Sequence, residues 1–138
     1  MSVTLIDAGP LIALANEREG HAHRECARLF QALDGGLATT LPVLTEAMYF
    51  VGRAGGWYLQ ERIWKLIAAG SVSIFHLAEE DIYRMSLLME EYLDTPMDFA
   101  DSSLVAAAEK LNTNRIFTLD SDFSVYRVHS RQSFQIIP

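Results

Sequence analysis

Six acidic residues stand where they could do chemistry: Asp7, Glu46, Asp98, Asp101, Asp120 and Asp122. Asp7 closes a short apolar run at residues 3–6, and Asp120 closes "IFTL", with Asp122 one residue further on. Asp98 and Asp101 lie three apart just after Pro96, and Glu46 follows Pro42 by four in "LPVLTEAMYF". Carboxylates brought together repel unless something neutralises them. Mg²⁺ or Mn²⁺, which take hard oxygen ligands, are the natural counterions. A carboxylate cluster with one or two such ions can polarise a phosphodiester, lower the pKa of an attacking water and stabilise the leaving oxygen. Zinc suits the chain less well. None of His21, His23, His76 and His129 is placed beside these acids, and the lone Cys26 excludes a cysteine cluster or an internal disulfide.

Whether the acids converge depends on the elements that carry them. Short β-rich runs ("VTLI", "LATT", "SVSIFHL", "RIFTL", "FQII") alternate with helical patterns. The first helix is expected to open at Pro10 and the second to span residues 21–33. The third starts at Pro42 and is broken by Gly55 and Gly56, and the fourth covers residues 57–69. "EEDIYRMSLLMEEYL" and "DFADSSLVAAAEKL" supply two more. Strands interleaved with helices of this length predict an α/β fold, a mainly parallel sheet covered on both faces. Strand order does not follow from these patterns. In such folds ligands bind outside the carboxyl ends of the strands. Asp7 and Asp120 are expected at that edge, joined by the helix-start acids Glu46, Asp98 and Asp101.

Each acid also has a plainer explanation. Asp7 suits a helix cap, Asp98 an N-cap with Asp101 completing an approximate capping box, and Asp122 a cap on a turn around Phe123. Glu46 taken alone fits a water-facing residue equally well. It is the convergence of four separate elements on one edge that favours a site.

Length and composition bound the rest. The 138 residues fit one domain, 1–138, and half of them are apolar, which argues against disorder. No run approaches 18 apolar residues and the start "MSVTLIDAGP" lacks a signal-peptide pattern, so a cytoplasmic protein without a membrane span is expected. The net charge of -7 makes backbone electrostatics a poor grip on nucleic acid, and metal-free protein is expected to bind it weakly. "DAGPLIALA" has one glycine and no lysine, so it is no P-loop. No Ser–His–Asp arrangement competes.

With these motifs in order, the chain resembles the PIN-domain ribonucleases, particularly the VapC-like toxins of toxin–antitoxin pairs. The likeness rests on "LIDAGPLIAL", the glutamate of "LPVLTEAMYF", "PMDFADSSLVAAAEKL" and "IFTLDSDF", and it covers essentially the whole chain. It implies a three-layer α/β/α sandwich around a short parallel sheet. It also implies a metal-dependent endoribonuclease site on Asp7, Glu46, Asp101 and Asp120, holding one or two Mg²⁺ or Mn²⁺ ions. Asp98, Asp122 and Thr118 would support it. A homodimer and a cognate antitoxin, lying across the active-site groove, are carried over in the same way. The chain departs from the family where Asp7 is followed by Ala8, Gly9 and Pro10 rather than by a polar residue. Arg18, Arg53, Arg115 and Arg127 are either phosphate contacts or plain surface cations.

Other classes compete. A catalytically idle PIN-like scaffold, binding RNA or protein, predicts little Mn²⁺ binding. A haloacid-dehalogenase-like phosphatase would place its D-x-D on the first strand, whereas "DSD" lies near the end of the chain. A receiver-like domain would need a late lysine at a strand end, and the last one, Lys110, lies in a helical pattern. Trp57, Tyr58, Ile63, Trp64 and Ile67 either form a dimer surface or pack inward. Met85, Leu88, Met89 and Tyr92 are expected in the core.

Overall fold

The computed structural model describes residues 3–138. Five runs of three residues form its central sheet: β1 (Thr4–Ile6), β2 (Leu37–Thr39), β3 (Val72–Ile74), β4 (Arg115–Phe117) and β7 (Gln135–Ile137). They lie in the order β3-β2-β1-β4-β7, and every pairing is parallel. A separate antiparallel hairpin pairs β5 (Arg127–Val128) with β6 (Gln132–Ser133). Parallel strands need crossovers, and six helices provide most of them. They are α1 (Ala8–Ala15), α2 (His21–Ala32), α3 (Leu41–Gly55), α4 (Trp57–Ala68), α5 (Glu79–Glu91) and α6 (Phe99–Leu111). The result is the α/β fold with a parallel sheet flanked by helices.

The core explains the helix faces. Leu5, Ile6, Leu11, Val43, Val51, Ile63, Leu88, Leu104, Ile116 and Phe117 are fully enclosed. Helix α6 is buried along its whole run from Ala100 to Ala108, because its alanines and serines let neighbouring elements approach closely. Met85 and Leu88 lie in the core as expected, with Met89 and Tyr92 packed at its margin. Cys26 is a small buried helical residue. The tryptophan-bearing helix divides: Ile63 points inward, while Trp57, Tyr58 and Trp64 are exposed. Among the described residues no helix is long and apolar enough to cross a membrane.

Several boundaries differ from the sequence reading. α1 opens at Ala8 and not at Pro10, because the Asp7 carboxylate accepts the Ala8 N–H and fixes the first turn there. Pro10 stays in that turn, where a missing N–H costs nothing. In α3, Pro42 takes the second position rather than the first. β3 and β4 are shorter than "SVSIFHL" and "RIFTL". The β5–β6 hairpin was not anticipated. Its turn puts His129 and Ser130 at φ 53° and 59° without a glycine. Glu109 compensates by accepting the His129 N–H at 2.8 Å, and Arg84, paired with Glu109, donates to Ser130.

Candidate active site

The sheet order places the site. Strand order reverses direction between β1 and β4, and in open parallel sheets the crevice lies at such a switch point, beyond the carboxyl ends of the strands. Asp7 directly follows β1, and Asp120 lies three residues beyond Phe117, the last residue of β4. Asp101 arrives from the first turn of α6. Oxygens of Asp7, Asp101 and Asp120 all lie within 4.8 Å of one another. Among the described residues this is the one group of three or more potential ligands so arranged.

Local bonds hold each acid. Asp7, 8% exposed, accepts from Ala8 N–H at 2.8 Å and from the Thr118 hydroxyl at 2.8 Å. The same Thr118 oxygen accepts the Asp120 N–H at 3.0 Å, so one hydroxyl fixes two acids from different strands. Asp120 caps the short 3-10 turn Ser121–Ser124 by accepting the Asp122 N–H at 2.9 Å. The cap on the Phe123 turn is therefore Asp120 and not Asp122. Asp98 and Asp101 form the anticipated capping box. Asp101 N–H donates to Asp98 Oδ1 at 2.7 Å, and Asp98 N–H donates to Asp101 Oδ2 at 3.2 Å. Capping and membership of the acidic group are thus compatible for Asp7, Asp101 and Asp120.

The electrostatics are those of a site short of positive charge. Burial, followed by repulsion from Asp98, pushes the Asp101 carboxyl up to about 8. Asp7 is raised by burial, against the lowering by its two hydrogen bonds, and further by Asp120 and Asp98. Glu46 is raised by burial and then by Asp98, Asp7 and Asp120, which puts it within electrostatic reach of the group. It nevertheless stands outside the close trio. So do Asp98, which is exposed, and Asp122, which is half-buried. An all-oxygen donor set that repels itself fits a hard divalent cation, and none of the histidines belongs to it.

Two supporting features were not anticipated from the sequence. Ser103 donates to the Ala100 carbonyl, so Thr40 donates to Ser103, at 2.6 Å, and this ties the start of α3 to the first turns of α6. Paired small hydroxyl residues in "LATT" and "DSS" were the available signal. Tyr126, fully buried, donates to the Pro96 carbonyl at 3.2 Å and so links the chain after Asp122 to the segment before Asp98. Of the four arginines weighed as phosphate contacts, Arg127 is committed to the carbonyls of Ser124, Val125 and Tyr126.

A strand-edge acidic trio on this sheet order defines a class of protein, and the sequence places the chain within it. The family model for the PIN domain matches residues 4–128, and the chain belongs to that family. Among curated proteins no sequence match is found. Solved structures extend the likeness in fold. Mycobacterium tuberculosis VapC20, described as a sarcin–ricin loop cleaving toxin, superposes with a TM-score of 0.81 at 18% identity, over 90% of this chain and 94% of its own. A chain of a toxin–antitoxin complex from Klebsiella pneumoniae gives a TM-score of 0.66 at 21% identity, over 88% and 90%. One from VapBC2 of Rickettsia felis, bound to a DNA fragment from their promoter, gives 0.68 at 12%, over 97% and 98%.

Proposed function

We propose that the protein is a metal-dependent endoribonuclease and the toxin of a toxin–antitoxin pair. The observation that carries the chemistry is the convergence of Asp7, Asp101 and Asp120 within 4.8 Å. One or two Mg²⁺ or Mn²⁺ ions bound there would polarise the phosphodiester, acidify the attacking water and stabilise the leaving oxygen. The residues themselves have separable tasks. Asp7, Asp101 and Asp120 supply the ligand oxygens. Thr118 orients Asp7 and Asp120 together through its two hydrogen bonds. Glu46, close but outside the trio and with its carboxyl raised, would complete the shell of a bound ion directly or through water and can take a proton. Asp98 fixes the N-terminal turn that delivers Asp101, and Asp122 contributes a further carboxylate at the margin of the site.

The proposed partners are supported by family membership, by the toxin–antitoxin complex from which one structural neighbour comes and by the VapBC2 assembly of another. They are an RNA substrate, a cognate antitoxin and a second copy of the chain, for which the exposed Trp57, Tyr58 and Trp64 offer apolar surface.

The test is cleavage of a mixed RNA pool by wild type and Asp7→Asn, each with Mn²⁺ or EDTA. Wild type should cleave only with metal, and D7N should lose nearly all activity while keeping its fold. Equal cleavage by D7N would refute the site, and a folded wild type that neither binds Mn²⁺ nor cleaves would instead support an idle scaffold.

A further inference from the structure

An open groove of about 630 Å³ lies between the starts of α3 and α6, whose acids Glu46 and Asp98 flank the trio. Glu46 and Asp98 stand on its rim, and Leu41, Pro42, Tyr49 and Phe99 make most of its apolar lining. It belongs to two helices: Phe99 is the first residue of α6, and Tyr49 lies one turn beyond Glu46 on α3. Both rings are more than half exposed, at 55% and 57%. Neither ring belongs to the core, which takes Ala47 from α3 and Ala100 and Leu104 from α6 instead.

We propose that this groove is a stacking subsite for an unpaired nucleobase of the RNA strand, held by Phe99 and Tyr49. The inference rests on the nuclease reading and adds to it where the substrate is gripped. Asp98 is bonded to Asp101 and Glu46 feels the charges of Asp7 and Asp120, so a strand that presents a phosphodiester to the trio can lay a neighbouring nucleotide past these two residues into the groove. The chain carries a net charge of -7, so contacts to phosphates contribute little affinity. Stacking on aromatic rings grips a single strand without using phosphate charge and tolerates any base. One cation is nevertheless in place. The Arg53 guanidinium lies 5.8 Å from the centre of the Tyr49 ring and donates to its hydroxyl at 3.2 Å, which orders the ring and leaves an exposed positive charge beyond it. The competing occupant for an apolar groove beside carboxylates is a peptide with a basic side chain, and a peptide groove would not account for ring variants that weaken RNA but spare an abasic strand.

Binding is measured by fluorescence anisotropy in D7N protein, which lacks one of the repelling carboxylates and should not consume the probe. The probes are a labelled ten-nucleotide single-stranded RNA of mixed sequence and an abasic ribose-phosphate strand of equal length. Phe99→Leu keeps an apolar side chain but removes the ring, and Phe99→Trp keeps a ring. Stacking predicts that F99L and Tyr49→Leu weaken RNA binding about fivefold or more, that F99W holds or tightens it, and that abasic-strand binding is unchanged throughout. The proposal is overturned if F99L binds RNA as its parent does, if the RNA and abasic strands weaken alike, or if the parent shows no preference for RNA over the abasic strand. Those results would leave metal-dependent cleavage by wild type standing. Absence of that cleavage is a separate failure, of the nuclease reading itself.

Discussion

At the scale of single residues, the acids are held at a cost that metal would relieve. Asp101 has a folded-state carboxyl at about 8 against an ordinary 3.8. Between those values the folded chain keeps a proton that the unfolded chain releases, so metal-free stability falls as pH rises through the window. Asp7 and Glu46 are raised as well and act in the same sense. Glu25, Glu80 and Glu109 are lowered from an ordinary 4.5, and their stabilisation is lost only as pH falls below that value, outside the range from pH 5 to pH 8. Urea unfolding in EDTA should therefore show wild type less stable at pH 8 than at pH 5. Asp101→Asn, which cannot titrate, should narrow that difference; an unchanged difference would contradict the assignment. Thr118 makes the complementary case, because it carries no charge. Thr118→Val keeps the shape but strands Asp7 Oδ2 and the Asp120 N–H, and supporting bonds of this kind are worth roughly 10–100-fold in metal affinity. Calorimetric titration with Mn²⁺ should show a loss of that order in T118V and recovery in Thr118→Ser.

At the scale of elements, the site depends on how helix starts and strand ends are pinned. Sequence showed much of this. The Asp98–Asp101 spacing after Pro96 announced a capping box, and the apolar run before Asp7 announced a buried strand that would fix the acid at its end. Those signals are local, so they could be read directly. The β5–β6 hairpin could not, because "RVHSRQS" has no apolar alternation and its left-handed turn is stabilised by Glu109 and Arg84 from distant helices. Glu46 was grouped with the other acids by motif, but only side-chain placement separates it from the trio. Tyr126 was likewise invisible as a support, since its partner Pro96 lies 30 residues away. Its hydroxyl spans from the chain carrying Asp120 to the chain carrying Asp101, whereas Tyr92, in the same aromatic cluster, accepts the Arg127 N–H. Removing either hydroxyl should cost about 0.5–1.5 kcal/mol of stability. Tyr126→Phe should also weaken Mn²⁺ binding several-fold, and Tyr92→Phe should not. Equal effects of the two on metal binding would reduce Tyr126 to ordinary packing.

At the scale of the whole molecule, the parallel sheet supplies both the core and the site. Its strand order could not be fixed from sequence, because three-residue strands carry too little pattern to choose neighbours. Yet the reversal between β1 and β4 is what brings Asp7 beside Asp120. The resulting cluster concentrates negative charge in a chain already at -7, so the folded state should be strongly linked to divalent metal. An ion that binds only the folded state at a free concentration of 100 times its dissociation constant adds about 2.7 kcal/mol. For a domain of this size that corresponds to a rise of several degrees in Tm. Thermal unfolding should therefore move upward with Mn²⁺ and return with EDTA. Asp7→Asn should lose most of the rise, and its metal-free Tm should equal or exceed that of wild type because one repelling charge is gone. A D7N protein that gains as much from Mn²⁺ as wild type would mean that the ion binds elsewhere, on exposed surface acids. The trio at the sheet edge would then be a set of helix caps alone.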